Sequence, residues 1–200
     1  MKFPPTFSLT APIKKLLYEL DVLKAGYELH PVPAEQAVNL RRASLLKSSL
    51  FSARIEGNPL ELADIDNLQS NDSDGHTIEV ANLVAAYERM SEILGPDVTI
   101  NGLKKLHALV LRSLSGDAGS LRQEESAIYN QAGIAVYLTP APQKIQALLN
   151  ALCAYANTTD DHPSVAAGLT HIWFEKIHSF LDGNGRVGRL LSAYILKKGG

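Results

Sequence analysis

A mostly α-helical bundle carrying a single β-hairpin is the fold class the sequence predicts, and three observations predict it. Apolar residues recur at spacings of three and four along most of the chain. Only the stretch between Gly119 and Pro140 has strand character. The chain has 200 residues, 46% of them hydrophobic and 20% charged, enough for one domain with a sizeable core.

The elements follow in order. Ile13, Leu16, Leu17 and Leu20 line one face of a first helix. From about Glu35 to Arg54 there is no Gly or Pro, and Val38, Leu45, Leu46, Leu50 and Ile55 predict a second, partly buried helix. It stops at Glu56-Gly57-Asn58-Pro59, where Asn58 reads as the cap of a further helix with Pro59 at its first position and Glu61 three after the cap. Ser70 to Gly75 is a polar loop. Val80, Leu83, Val84, Tyr87, Met90 and Ile93 mark one amphipathic helix, and Leu103, Leu106, Val110, Leu111 and Leu114 another. Ala127-Ile128-Tyr129 and Ile134 to Leu138 flank Asn130-Gln131-Ala132-Gly133, a hairpin with a short loop. Ile145, Leu148, Leu149 and Leu152 resume the helical period. After His162-Pro163 a helix with Val165, Leu169, Ile172, Trp173 and Ile177 reaches His178, and a last one starts near Asn184 or Gly185.

Composition excludes several function classes. With 19 basic and 21 acidic residues the net charge is −2, so no basic field advertises nucleic acid. The one cysteine, Cys153, rules out an intramolecular disulfide framework, fits a reducing cytosol and sits in an apolar helical setting that suits a core residue. No apolar run approaches the roughly 20 residues that span a bilayer, and Met1 to Pro5 lacks a signal peptide's pattern. The expectation is a cytoplasmic protein without a membrane partner.

Chemistry concentrates between Phe174 and Arg189. Asp182-Gly183-Asn184-Gly185 breaks one helix and starts the next, so free backbone N–H groups and the positive end of a helix dipole are offered to an anion. Arg186 and Arg189, three apart on the first turn, extend that anion site. Asp182 makes sense in such company if a divalent cation bridges it to phosphate oxygens. His178, just upstream, is placed to act as a base near neutral pH.

Three other readings fail. Gly183, Gly185 and Gly188 satisfy the dinucleotide fingerprint, but a helix precedes them instead of a strand. Gly183 and Gly188 have P-loop spacing, yet Arg189-Leu190 replaces its Lys-Ser/Thr and Leu190 cannot hold Mg²⁺. His171, Glu175 and His178 share a helical face at i, i+4 and i+7, but di-iron bundles need a second such motif and there is none. For His171 and Glu175 a buried structural pair is the preferred reading.

The segment His178-x-Phe180-x-Asp182-Gly183-Asn184-Gly185-Arg186-x-x-Arg189 resembles the signature of the Fic family at all eight of its specified positions. The likeness extends to the helix ending in Phe174-Glu175-Lys176-Ile177, to Gly119-Ser120-Leu121-Arg122 at the start of the hairpin, and to the proline-rich turn Leu138 to Pro142. Ser52-Ala53-Arg54-Ile55-Glu56-Gly57 resembles the family's inhibitory motif.

The resemblance implies a Fic-type helical bundle with one hairpin flap. It implies a division into an N-terminal helical region, residues 1–75, with an inhibitory helix at about 35–56, and a catalytic core at 76–200. The implied activity is AMP transfer from ATP to a Ser, Thr or Tyr hydroxyl of a protein, this chain itself included. His178 would be the general base, Asp182 would hold Mg²⁺, and Gly183, Asn184 and Gly185 would form the anion cradle. Arg186 and Arg189 would stabilise the β- and γ-phosphates, with Phe180 anchoring the loop. Ile128 and Tyr129 would cover the nucleotide from a flap that pairs with an extended target segment. Glu56, in the Ser52-to-Gly57 motif, would pair with Arg189 and block the γ-phosphate. Removal of AMP, other phosphotransfer on the same fold, and a non-catalytic nucleotide sensor remain as alternatives. The target protein and any homo-oligomer are not written in the sequence.

Overall fold

The computed structural model describes residues 5–65, 74–130 and 132–199. Eight helices and a two-stranded sheet are present among them: α1 Ala11–Leu29, α2 Ala34–Ile55, α3 Leu62–Ile65, α4 Gly75–Leu94, α5 Ile100–Val110, β1 Ala127–Tyr129, β2 Ala135–Leu138, α6 Pro142–Thr158, α7 Pro163–Ile177 and α8 Asn184–Lys198. The mostly α expectation with one hairpin is met. The strands pair antiparallel, Ala127 opposite Leu138 and Ile128 opposite Tyr137, and no third strand joins them among the described residues.

The core is one continuous cluster. Leu50 and Ala53 of α2, Val80, Leu83 and Ala86 of α4, Leu103 and Leu106 of α5, Leu149 of α6, Phe174 of α7 and Val187, Leu190 and Leu191 of α8 are all buried in it. α8 packs along α7 and also meets α4, α5 and α2. Its last residues stay fixed where the Tyr194 hydroxyl donates to the Gly95 carbonyl at the end of α4. Only the last two turns of α2 enter this core, with Ser49, Leu50, Ser52 and Ala53 buried, while Val38 and Ile55 are exposed.

Local chemistry explains the element ends. α4 starts where Asp74 accepts hydrogen bonds from the His76 and Thr77 amides. α5 starts where Thr99 Oγ1 accepts from Gly102. α7 starts with Pro163 at its first position and the His162 ring accepting from Ser164 N. Residues 70–73 of the expected polar loop lie outside the described residues.

One expectation is corrected and one element needs a qualification. Asn58 does not cap a helix at Pro59: the short α3 begins only at Leu62. Asn58 is instead buried, and its amide donates to the His76 carbonyl and to Glu79 Oε2, stapling the end of α2 to α4. Its side-chain oxygen still accepts from the Leu60 amide at 3.1 Å, a cap-like local bond that no helix at Pro59 follows. The apolar face of α1 is real but unburied: no residue of α1 is buried, and Leu16 and Leu20 are exposed. Its hydrogen bonds to the bundle run from Lys24 to the Gly199 carbonyl and between His162 and Asp21, while Leu17 is half-buried.

Candidate functional site

α7 and α8 meet at a sharp reversal, and the reversal builds the site. Ile177 is the last helical residue, and His178 follows in the left-handed region at φ 49°, ψ 63°. A non-glycine residue there is strained by about 1–2 kcal/mol, so its surroundings must hold it. Gly183, at φ 76°, caps α8. A side chain at Gly183 would meet the His107 ring at 3.3 Å, so glycine is required twice over.

Between these points the loop is stapled from within. Phe180 is fully buried and stacks flat on His107, the ring centroids 3.7 Å apart. The Asn184 amide donates to the Phe180 carbonyl at 2.8 Å and its oxygen accepts from Phe180 N at 3.0 Å. Asn184 therefore shapes the cradle with its side chain and offers only its backbone to an anion. His107 Nε2 lies 3.0 Å from the Asp182 carbonyl, and the Gly119 amide donates to Nδ1 at 2.8 Å. An acceptor at Nδ1 makes Nε2 the donor, so this imidazole is neutral. Burial also lowers its pKa. His107 is one functional support that sequence reasoning missed, since a lone histidine on an apolar face carries no signal of its own.

The N-terminus of α8 opens into a cavity of about 310 Å³ lined by Glu56, His171, Glu175, His178, Leu181, Asp182, Gly183, Asn184, Gly185 and Arg189. Burial pushes the His178 pKa down, an effect that the nearby Arg122 charge reinforces while the Glu175 carbonyl, Asp182 and Glu56 oppose it. That direction favours the neutral ring, the form a base needs. Its Nδ1 is buried, which leaves Nε2 as the nitrogen for the cavity.

Arg189 and Glu56 close the cavity from opposite elements. Arg189 Nη2 lies 2.7 Å from Glu56 Oε1, and the same side chain donates to Ser52 Oγ at 2.9 Å and to the Ser52 carbonyl at 3.0 Å. Gly57, at φ 99°, lets the chain turn away directly after Glu56. The carboxylate lies so close to α8 that a methyl group on Gly185 would meet Oε1 at 2.5 Å. Glu56 thus occupies the one guanidinium that faces the α8 N-terminus across the cavity.

Several expected residues stand elsewhere. Arg186 does not line the cavity. It is 6% exposed and pairs with Glu79 at 2.5 Å and with both oxygens of Asp182 at 2.8 Å. Arg186 and Arg189 thus diverge, one toward α4 and one toward α2. Burial raises the Asp182 pKa, but the Arg186 charge and hydrogen bond outweigh it and hold the carboxyl below its ordinary value. Ile128 and Tyr129 are on β1, and neither lines the cavity; Tyr129 is exposed. His171 and Glu175 are not a hydrogen-bonded pair. His171 Nδ1 and Glu175 Oε1 are both buried without partners, packed beside Gly188 in the cavity wall. Burial, with Arg189 opposing and Glu56 assisting, lifts the Glu175 pKa to about 7.

Among the described residues no cluster of three or more metal-ligating side chains exists. Asp182, whose side chain is 65% exposed at the cavity rim, still suits Mg²⁺, which keeps its waters and takes one or two carboxylates together with phosphate oxygens.

Fold and site together define a helical protein with a glycine-rich turn at a helix N-terminus, a histidine in a left-handed turn and a carboxylate-occupied arginine around one cavity. The Fic/DOC family profile matches residues 97–196. A protein adenylyltransferase Fic of Drosophila melanogaster is 30% identical over 178 residues, 80% of this chain and 35% of the relative. The crystal structure of a Fic family protein from Desulfovibrio desulfuricans is 30% identical with a TM-score of 0.84, covering 98% of this chain and 60% of that one. A Fic domain containing signaling protein from Bacteroides thetaiotaomicron is 21% identical with a TM-score of 0.74, covering 93% and 72%, and shares the fold. The chain belongs to the Fic/DOC family, and it spans about a third of the length of the adenylyltransferases it matches.

Proposed function

We propose that this chain transfers AMP from ATP to a hydroxyl group of a protein, and that Glu56 restrains the reaction. The observation that carries the proposal is the cavity itself: a neutral His178, a free helix N-terminus and Arg189 held by Glu56 within one space. The target hydroxyl donates its proton to His178 Nε2 while its oxygen attacks the α-phosphorus. The bond from that phosphorus to the bridging β-oxygen breaks, and pyrophosphate leaves. First-turn amides of α8 from Asn184 onward receive the phosphate oxygens, the Gly183 amide being held by Asp182 Oδ1 at 2.6 Å, and Arg189 receives the γ-phosphate once Glu56 has moved. Asp182 is the residue that would hold Mg²⁺, which neutralises phosphate charge when bound. Arg186 acts through Asp182, keeping it ionised and aimed at the rim.

The similarity to adenylyltransferases supports AMP as the transferred group. The exposed hairpin supports an extended peptide as acceptor, since β2 leaves Val136 and Leu138 open to a neighbour.

Intact-mass measurement after incubation with Mg²⁺-ATP tests the proposal. Glu56→Gly should gain the mass of AMP on itself or on added protein, wild type less, and Glu56→Gly with His178→Ala none. Equal incorporation with and without His178 would refute the mechanism. No incorporation by Glu56→Gly on any protein substrate would refute AMP transfer.

A further inference from the structure

Among the described residues Arg122 is the most deeply buried cation, at 2% exposure; no carboxylate is hydrogen-bonded to it, and Glu125 reaches it only through its charge. Its guanidinium instead donates to four backbone carbonyls. Nε reaches the His178 carbonyl at 2.6 Å, Nη1 the Glu124 carbonyl at 2.6 Å, and Nη2 the Pro140 carbonyl at 2.6 Å and that of Ile177 at 3.4 Å. The Arg122 amide adds a bond to the Ser179 carbonyl at 3.0 Å.

Those acceptors come from two places with different work to do. Ile177, His178 and Ser179 are the end of α7 and the left-handed turn that carries the base. Glu124 and Pro140 are the two roots of the hairpin, just before β1 and just after β2. One planar side chain thus bolts both roots of the hairpin to the backbone of His178.

An arginine is a costly brace. Burying a cation without a carboxylate is unfavourable, and well-packed apolar side chains commonly brace a fold as well or better. The site offsets part of that cost because the unpaired carbonyls at the end of α7 form the negative pole of a helix dipole. Lysine could not do the same: its single ammonium lacks the rigid fork that reaches carbonyls on opposite sides at once. The arrangement demands an explanation beyond packing, and the strained backbone of His178 supplies one. A left-handed histidine persists only where its neighbours over-determine it, and the bond to its carbonyl is the one that Arg122 makes.

We propose that Arg122 is a positioning residue that locks His178 in its left-handed conformation and couples the base to the hairpin on which an extended acceptor docks. The proposal rests on the AMP-transfer reading for its kinetic consequence and on geometry alone for the rest. Its charge contributes too. Arg122 helps to keep the His178 imidazole neutral, in a surrounding where Asp182 and Glu56 and the Glu175 carbonyl pull the other way.

The test uses Arg122→Met and Arg122→Lys, each in the Glu56→Gly chain, with thermal denaturation to establish folding. Arg122→Met should lower kcat for AMP transfer on the order of 10²-fold, the cost of a misplaced catalytic group, while the Kd for Mg²⁺-ATP changes less than threefold. It should also raise the His178 pKa, read by NMR titration of the ring, and speed amide exchange across Ala127 to Leu138. Arg122→Lys should keep the wild-type histidine titration but lose the exchange protection, because it keeps charge without the fork. If Arg122→Met does not fold, Arg122→Lys decides by the same exchange and kcat readings. A folded variant with wild-type kcat, His178 titration and hairpin exchange would overturn the proposal. Should Glu56→Gly transfer no AMP at all, the activity reading falls, while titration and exchange still decide the role of Arg122.

Discussion

Replacing Glu56 by glycine should strengthen ATP binding far more than ADP binding. Glu56 makes one charge-assisted hydrogen bond to Arg189 at 2.7 Å, in a place where the two side chains are 33% and 22% exposed. A bond of that type is worth about 1–2 kcal/mol after discounting for partial solvent screening. On the proposed mechanism ATP breaks this bond to present its γ-phosphate to Arg189, so removing it should tighten Mg²⁺-ATP by roughly 5–30-fold. The two remaining Arg189 bonds, to the Ser52 hydroxyl and carbonyl, keep the guanidinium aimed at the cavity in the variant. ADP has no γ-phosphate and should gain less than about threefold. Calorimetry of both nucleotides against wild type and Glu56→Gly measures the difference directly. Equal gains for ATP and ADP would refute competition at Arg189, and no gain for either would mean that Glu56 obstructs nothing.

Two further outcomes are expected. Glu175 has a folded pKa of about 7 against an ordinary 4.5, so the native state binds its proton more tightly and stability falls as pH rises from about 4.5 to about 7, by up to about 3 kcal/mol; denaturant titrations of Glu175→Gln across that range should lose most of this slope, and an unchanged slope would place its origin elsewhere. Asn184→Ala removes both bonds to the Phe180 backbone and strands a buried amide and carbonyl, which should cost about 2–4 kcal/mol in the same assay; a loss below about 1 kcal/mol would mean that Asn184 does not staple the loop.

The sequence made the helices legible because their chemistry is local. Asp182 to Gly185 announces a helix break and a helix start within four residues, and α8 begins at Asn184 as expected. The hairpin was legible for the same reason, from turn residues between two strand-like runs. Asn58 was misread because the cap pattern Asn-Pro-x-Glu is also local, whereas the partner that wins it, Glu79, lies 21 residues away on α4. The α1 face was visible as a face, but amphipathicity states only that a surface is apolar, not that the rest of the chain covers it.

Site residues divide along the same line. Arg186 and Arg189 have the same spacing logic, and nothing local distinguishes them, yet one is enclosed by Glu79 and Asp182 and the other reaches the cavity. The difference is the fold's, because α4 supplies the carboxylate that captures Arg186 and α2 supplies the one that meets Arg189. The supports were hidden for a stronger reason. His107 and Arg122 stand 71 and 56 residues before His178, on α5 and at the foot of the hairpin, and each acts through backbone groups. Backbone acceptors have no residue type, so no pairing of letters in the sequence can reveal them. A buried cation or imidazole bonded to carbonyls is visible only once the chain has folded. Those are the residues through which this fold holds a strained histidine beside a helix N-terminus.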